Sequence, residues 1–445
     1  MLASVAACAA LCTLLLPAQA EAHTALRSTV PSADTTISAS PTALTLTFSS
    51  KVHTETGAIK VFDNAGTRID TGNAVLTSGD TIATQRLRAG ATGLIAVGWR
   101  VVSADGHTVT GSFTFTIGGA PTATAAAKQS VRNHLSDATH TDRVALVAGG
   151  VGRFMVLLSL LIATGGALFA AAIAPGWPPR LLGASLSGAT IGLALTYVTD
   201  AAITSGSGLG TAFHLHALVV ESSNPYGRAA LITGSMCMLA AIVAPMLRST
   251  APGTTSSGLV RTTVALVFCT LAATTSLAGH AFVTSPVAVR LPLDMLHVLA
   301  AAAWLGGLVQ LGFVAASWST DIGEATPSSL VTLGRLDWIK RFSTVAFGCV
   351  VMLLITGTYA TLAEVGVSWH ALTTTRYGHI VLAKLLLYAA TMPLALFNRS
   401  TLIPALTTRP KDASSMLRQY VYRETALLIV IVGLTAWLIG SDPHA

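Results

Sequence analysis

A histidine at the start of a mature chain can do what an internal histidine cannot. Its α-amine and its imidazole Nδ1 chelate one metal ion together, and no amide nitrogen has to lose its proton. His23 is expected to stand there, because the apolar run before it ends in Ala20-Glu21-Ala22, the small-x-small pattern that signal peptidase cuts. Further on, Ser103-Ala104-Asp105-Gly106-His107 sets Asp105 and His107 two residues apart, on the same side of an extended segment. An amine, two imidazoles and a carboxylate make a tetragonal nitrogen and oxygen set that suits Cu(II). Zinc accepts the same donors tetrahedrally, but copper has the higher intrinsic affinity. Taken alone, Asp105-Gly106-His107 reads as an ordinary hairpin turn, and it is the histidine at the cleavage point that makes it a metal site.

A second constellation lies in apolar surroundings, where ionisable residues are costly and face a pathway or a partner. Asp294 and His297 are three apart on one helical face, and His280 ends the preceding apolar run at a similar depth. The three allow a second metal site, the alternative being that each group simply reaches the membrane interface. Met236, Cys237 and Met238 are soft donors, but consecutive helical residues do not share a face. Lys384 and Arg153 read equally as counter-charges or as side chains that snorkel outward.

The elements that must position these groups follow from composition. The 445 residues are 52% hydrophobic and 10% charged, with mean hydropathy +0.66, too apolar for a soluble protein. Residues 1–22 read as a signal peptide, without the usual preceding Lys or Arg; a retained first membrane helix is the alternative. Residues 23–118 show period-two alternation, as in Leu44, Leu46 and Phe48 or Phe113, Phe115 and Ile117, with turn residues between. That pattern predicts an all-β Greek-key sandwich. Cys8 and Cys12 would leave with the signal peptide, and Cys237, Cys269 and Cys349 fall in apolar runs, so the exported domain has no disulfide to lean on. Residues 119–142, rich in Gly, Ala, Pro and Thr, read as a linker.

From 143 to 445, apolar runs near 144–173, 181–203, 226–247, 260–282, 291–316, 342–364, 377–397 and 424–440 predict an all-α bundle of eight transmembrane helices. Its loops give the orientation. Arg180, Arg248, Arg261, Arg335, Lys340, Arg341, Arg399, Arg409, Lys411, Arg418 and Arg423 fall on one side, and Arg228, Arg290 and Arg376 on the other. By the positive-inside rule the first set is cytoplasmic, which leaves the β-domain and both ends of the bundle outside, in the plasma (inner) membrane. The net charge of +7 is thus mostly a topology signal and implies no nucleic acid. An internal echo, His216-Ala217-Leu218 before Tyr226-Gly227 and His370-Ala371-Leu372 before Tyr377-Gly378, four spans apart, predicts two parallel four-helix repeats.

These residues carry a specific resemblance. His23-Thr24-Ala25-Leu26, Leu44 to Phe48, and Val102 to His107 with Gly111 and Phe113 resemble the CopC copper-resistance family. Phe342 to Arg399, with Thr356-Gly357-Thr358-Tyr359, Arg376-Tyr377-Gly378, Lys384 and Asn398-Arg399, resembles the CopD family, as do Asp294 to His297 and Trp304 to Gly307. The whole chain is similar to a natural CopC and CopD fusion. The resemblance implies one Cu(II) on His23, Asp105 and His107, and copper transport by the bundle, mostly uptake. The chain departs from methionine-rich members, having no Met between His23 and Gly119. It also has Ser49 and Ser50 where some members place a Glu, with His53 and Glu55 the nearest substitutes.

These readings predict a copper permease with a tethered capture domain, its partners the copper ion and the lipid bilayer. Two other classes stay open: sequestration or sensing without transport, and a histidine-brace copper or haem redox enzyme. A small domain without a broad aromatic face counts against the former enzyme. The absence of matched histidine pairs across the spans counts against haem. Produced with a free His23 amine, residues 23 to 119 are expected to bind one Cu(II), with mainly nitrogen ligation in electron paramagnetic resonance and weaker affinity as protons compete at low pH. One residue added before His23 is expected to weaken binding nearly as much as His107→Ala; unchanged affinity in the extended chain rules out amine ligation.

Overall fold

The computed structural model describes residues 24–55, 57–104, 106, 108–118, 142–174, 179–205, 209–247, 255–277, 286–321, 330–365, 369–408 and 410–439. His23, Asp105, His107 and His280 lie outside them, as do the expected signal peptide and all of the linker except Asp142.

Alternation dictates the first half. Its strands are β1 Leu26–Val30, β2 Thr36–Ile37, β3 Ala43–Phe48, β4 Val52–His53, β5 Ile59–Phe62, β6 Asp70–Thr77, β7 Ile82–Leu87, β8 Gly93–Ser103 and β9 Thr108–Ile117. They form two sheets, β1-β3-β7-β6 and β2-β9-β8-β4, with β5 also paired to β8. The chain passes repeatedly from one sheet to the other, so each sheet buries one face on its opposite. Leu44, Leu46 and Phe48 are at most 2% exposed and meet Ile59, Val61, Ile95, Val97 and Phe115 in one core. Trp99 meets Phe48 edge-on at 5.4 Å. Its paired residue on β9 is Gly111, where a Cβ would overlap the indole. Packing of this kind stabilises the domain, and the cysteines among the described residues are all free and helical.

Eight helices among the described residues are long and apolar enough to cross a membrane. They are α1 Arg143–Ala172, α2 Pro179–Ser205, α3 Pro225–Val243, α4 Thr255–Ala273, α5 Val287–Asp321, α6 Leu330–Val365, α7 Arg376–Phe397 and α8 Pro410–Ile439. Short helices, Leu215–Glu221 and Trp369–Thr374, precede α3 and α7. The Asp142 carboxylate starts α1 by accepting from the Val144 N–H at 2.8 Å. Helix α1 also joins the bundle's halves: Val156, Leu160 and Ala163 pack with residues of α2, α3 and α4, while Leu161 and Phe169 pack with residues of α5, α6 and α8. At its crossing with α5, a Cβ on either Gly165 or Gly306 would collide with the other helix's backbone. Small residues allow this approach, which association in lipid needs because apolar side chains gain nothing by leaving hydrocarbon for one another.

Two boundaries differ from the sequence reading. Helix α8 begins at Pro410 rather than near 424, and α6 at Leu330 rather than near 342. Charged residues were read as the ends of spans, yet a helix continues through the polar interface without interruption. Glu424 is therefore an interior residue, 3% exposed. Gly165→Ala is expected to cost about 1–3 kcal/mol through overpacking, measured as a lower Tm in detergent. Gly183→Ala, in open space, is expected to leave Tm unchanged.

Candidate functional site

The β-domain rests on the bundle through β8. Leu94 to Val102 shows little alternation and is buried nearly throughout, the pattern of a strand covered on both faces. Within it, Arg100 is 8% exposed and donates from Nη1 to the Ile203 carbonyl at 2.5 Å. Ile203 is in the last turn of α2, where carbonyls lack helical partners and the helix dipole is negative, so a guanidinium both satisfies and neutralises that end. Burial draws Arg100 below its ordinary pKa, and the Glu55 carboxylate opposes the shift. Glu55 is raised by its own burial, against a hydrogen bond from Asn224 and the charges of His216 and Arg100. Asn224 also donates to Glu221 Oε2 at 3.0 Å. A cleft of about 20 Å³ is left at this junction, lined by His53, Glu55, Lys60, Arg100, Thr204 and Ser205 among others.

Gly106 is the described residue of the Asp105 to His107 turn. Its φ is +90°, and a Cβ there would overlap the Tyr226 ring at the start of α3. Tyr226 also lines a cavity of about 400 Å³ inside the bundle, together with Asp294, His297, Trp304, Thr356, Tyr377 and Lys384. One aromatic ring thus packs against the turn on one side and lines the cavity on the other. Tyr226 and Tyr377, the two tyrosines of the internal echo, both line this cavity, each after a short helix.

Of the membrane constellation, the structure brings Asp294 and His297 to one cavity. Among the described residues no group of three or more His, Cys, Asp or Glu is placed to hold a metal ion. His297 Nδ1 lies 2.7 Å from Thr356 Oγ1. The Thr356 hydroxyl also reaches the Met352 carbonyl at 2.8 Å. With its hydrogen there it accepts from His297 Nδ1–H, and in that tautomer Nε2 carries the lone pair that a cation needs. Gly357 packs beside this ring, its Cβ position 3.4 Å from His297 Cε1. Lys384 lines the cavity, and Arg153 pairs with Asp200 at 3.3 Å, so Arg153 serves as a counter-charge. Cys237 is buried while Met238 is 70% exposed, in keeping with consecutive residues on different faces. Sequence reasoning missed Arg100, Asp200 and Glu221; the apolar residues of β8 on both sides of Arg100 were the available signal for the first.

Residues 26–118 match the profile of the CopC domain, and residues 336–438 that of Copper resistance protein D. The chain is 26% identical over 311 residues to Copper transport protein CutJ of Bacillus subtilis (strain 168), covering 67% of this chain and 54% of that protein. It is 27% identical over 170 residues to Inner membrane protein YebZ of Escherichia coli (strain K12), covering 36% of this chain and 53% of that one. The chain thus spans about half the length of the curated relatives it matches. Among solved structures, CopC from Methylosinus trichosporium OB3b is 30% identical, with TM-score 0.20, over 21% of this chain and 93% of that one. PcoC, a methionine-rich copper resistance protein from Escherichia coli, is 27% identical, with TM-score 0.19, over 21% of this chain and 98% of that one.

Glu221 supplies a test of the junction. It is 2% exposed and is pushed up from 4.5 to about 8, first by burial and then by Asp200. A carboxyl whose folded-state pKa is raised binds more protons folded than unfolded between those two values. Its contribution to stability is therefore favourable at low pH and is lost as pH rises through about 8. Raising pH from about 6 to about 9 is expected to lower the Tm of the full chain, and Glu221→Gln to flatten that slope. Equal slopes would show that Glu221 titrates alike in both states.

Proposed function

We propose that this multi-pass membrane protein, which carries a CopC domain ahead of a CopD domain, captures Cu(II) outside the membrane and passes copper into its helix bundle for uptake. The capture ligands are the His23 amine and imidazole, Asp105 and His107. Residues 1–22 are the signal peptide, 23–118 the capture domain, 119–142 the tether and 143–445 the transmembrane domain. The protein binds and conveys copper without catalysis.

One observation carries the reading. Gly106, inside the capture turn, packs on Tyr226, and Tyr226 lines the cavity that holds Asp294 and His297. The cavity beneath that tyrosine holds an imidazole, His297, that can receive a cation handed on from the turn. The docking of Arg100 on the end of α2 holds the donor over the bundle, so delivery occurs within one molecule rather than by encounter. The orientation rests on the sequence, in which eleven basic residues flank the apolar runs on one side and three on the other.

Direction follows from the energy sources within the chain. No Gly-rich phosphate loop occurs in the sequence, which leaves export against a gradient without a motor. Import runs downhill when cytosolic thiols reduce the arriving Cu(II), two thiols giving a disulfide and one electron to each of two ions, and further thiols hold the Cu(I). Deleting the gene is expected to lower cellular copper under scarcity, and overproduction to raise both copper content and copper sensitivity. A deletion strain that accumulates copper overturns import. His297→Ala is expected to abolish the copper phenotype while Cu(II) binding by the β-domain is unchanged. Normal copper handling by that variant moves the transfer site elsewhere, to His216 or His370 next.

A further inference from the structure

Two helical turns along α5 from His297, on the same face, stands Trp304. It lines the cavity with its indole, and its Nε1–H donates to Glu424 Oε1 of α8 at 2.8 Å. The other carboxyl oxygen, Oε2, accepts from Asn398 Nδ2 at 3.0 Å. Glu424, Trp304 and Asn398 are 3%, 1% and 7% exposed, and each lies within a membrane-spanning segment.

No cation among the described residues faces this carboxyl. On α8, Arg423 lies over the Tyr420 ring at 5.4 Å, and Arg418 is nearly two turns closer to the helix start. Arg399, next to Asn398, donates to the Ser343 carbonyl at 2.8 Å and lies over Phe347. Arg153 of α1 is paired with Asp200. Arg290, Asp294 and His297 of α5 and Lys384 of α7 line the cavity on the other side of Trp304. A carboxylate with two neutral donors in hydrocarbon is an uncompensated charge, so its favourable states hold a proton or a cation.

Asn398 supplies an independent pointer. Its Oδ1 is buried without a hydrogen-bond partner. A carboxamide that offers Nδ2 to a carboxylate offers Oδ1 to a carboxylic acid after a half-turn of the amide, so Asn398 can serve either protonation state. It opens a π-helical turn, Asn398–Leu402, a kind of insertion frequent at functional sites.

We propose that Glu424 is a proton-cation exchange site on the inner side of the cavity, the cation being the copper ion of the function proposed above, on which this inference rests. On exchange the carboxyl O–H bond breaks, the oxygen takes the cation, and one proton leaves to water on the side of the basic loops. No electron is transferred.

The test is infrared difference spectroscopy on the full-length protein in nanodiscs, with copper added as Cu(II) and, with ascorbate, as Cu(I). A carboxylic-acid C=O stretch that is lost on adding either form of copper is expected, beside the stretch of protonated Glu221, which copper leaves unchanged. The copper-sensitive band is expected to be missing in Glu424→Gln, whose amide keeps both hydrogen bonds once Asn398 turns, so the variant should fold, while the Glu221 band stays. No copper-sensitive band in the wild type, or one that persists in Glu424→Gln, overturns the proposal. Copper flux into proteoliposomes separates the two readings: band exchange without copper crossing refutes transport and leaves the exchange site standing, whereas copper crossing without band exchange refutes the exchange site alone.

Discussion

Hydrocarbon solvates no polar group, and the membrane half of this protein is arranged around that constraint. Polar side chains within the spans turn toward protein: Arg153 to Asp200, His297 to Thr356, Glu424 to Trp304 and Asn398. Helices that must bring such groups together have to approach closely, which explains glycine where α1 crosses α5. That close crossing places the face of α5 bearing Asp294, His297 and Trp304 beside the cavity rather than the lipid. The bundle's packing and its polar route are therefore consequences of one requirement.

The same accounting governs the junction with the β-domain. A helix that ends at the membrane surface exposes carbonyls with no helical partner, and α2 has one of them satisfied by a guanidinium from another fold, Arg100 of β8. Burying Arg100 then calls for a carboxylate, Glu55, and burying Glu55 calls for Asn224, which is also bonded to Glu221. The docked position is fixed by a chain of polar dependencies, and the Gly106 turn reaches Tyr226 because of it.

The sequence made some of this legible and hid the rest for physical reasons. Strand alternation and eight apolar runs are local signals, and both produced the elements now seen. Asp294 and His297 were readable as a pair because a helix puts residues three apart on one face. Glu424 was misread as a helix boundary, since a charge ending an apolar run and a charge inside a longer helix look alike until partners are known. Its partners, Trp304 and Asn398, come from 120 and 26 residues away, and no period in the sequence encodes such meetings. Arg100 was hidden similarly: its partner is a backbone carbonyl, which has no letter in the sequence.

The cavity's electrostatics bear on whether the bundle stores copper or passes it. A storage site gathers several anionic or soft donors around its ion. Among the described residues this cavity offers one imidazole and one carboxylate, and Arg290 and Lys384 line it as well, so the formal balance of those residues is positive when His297 is neutral. Such a site is a shallow well for a cation, which conduction needs because an ion bound deeply does not leave. An ion moving past Trp304 exchanges those two positive neighbours for Glu424, a carboxyl without a counter-ion. The electrostatic drop along α5 therefore runs from the β-domain toward the basic loops. When a proton returns to Glu424 after the ion has gone, the attraction disappears and the path back up is closed. On the proposed function, vectorial movement then needs only a captured ion at one end, a trap at the other, and a carboxyl between them that alternates between proton and metal.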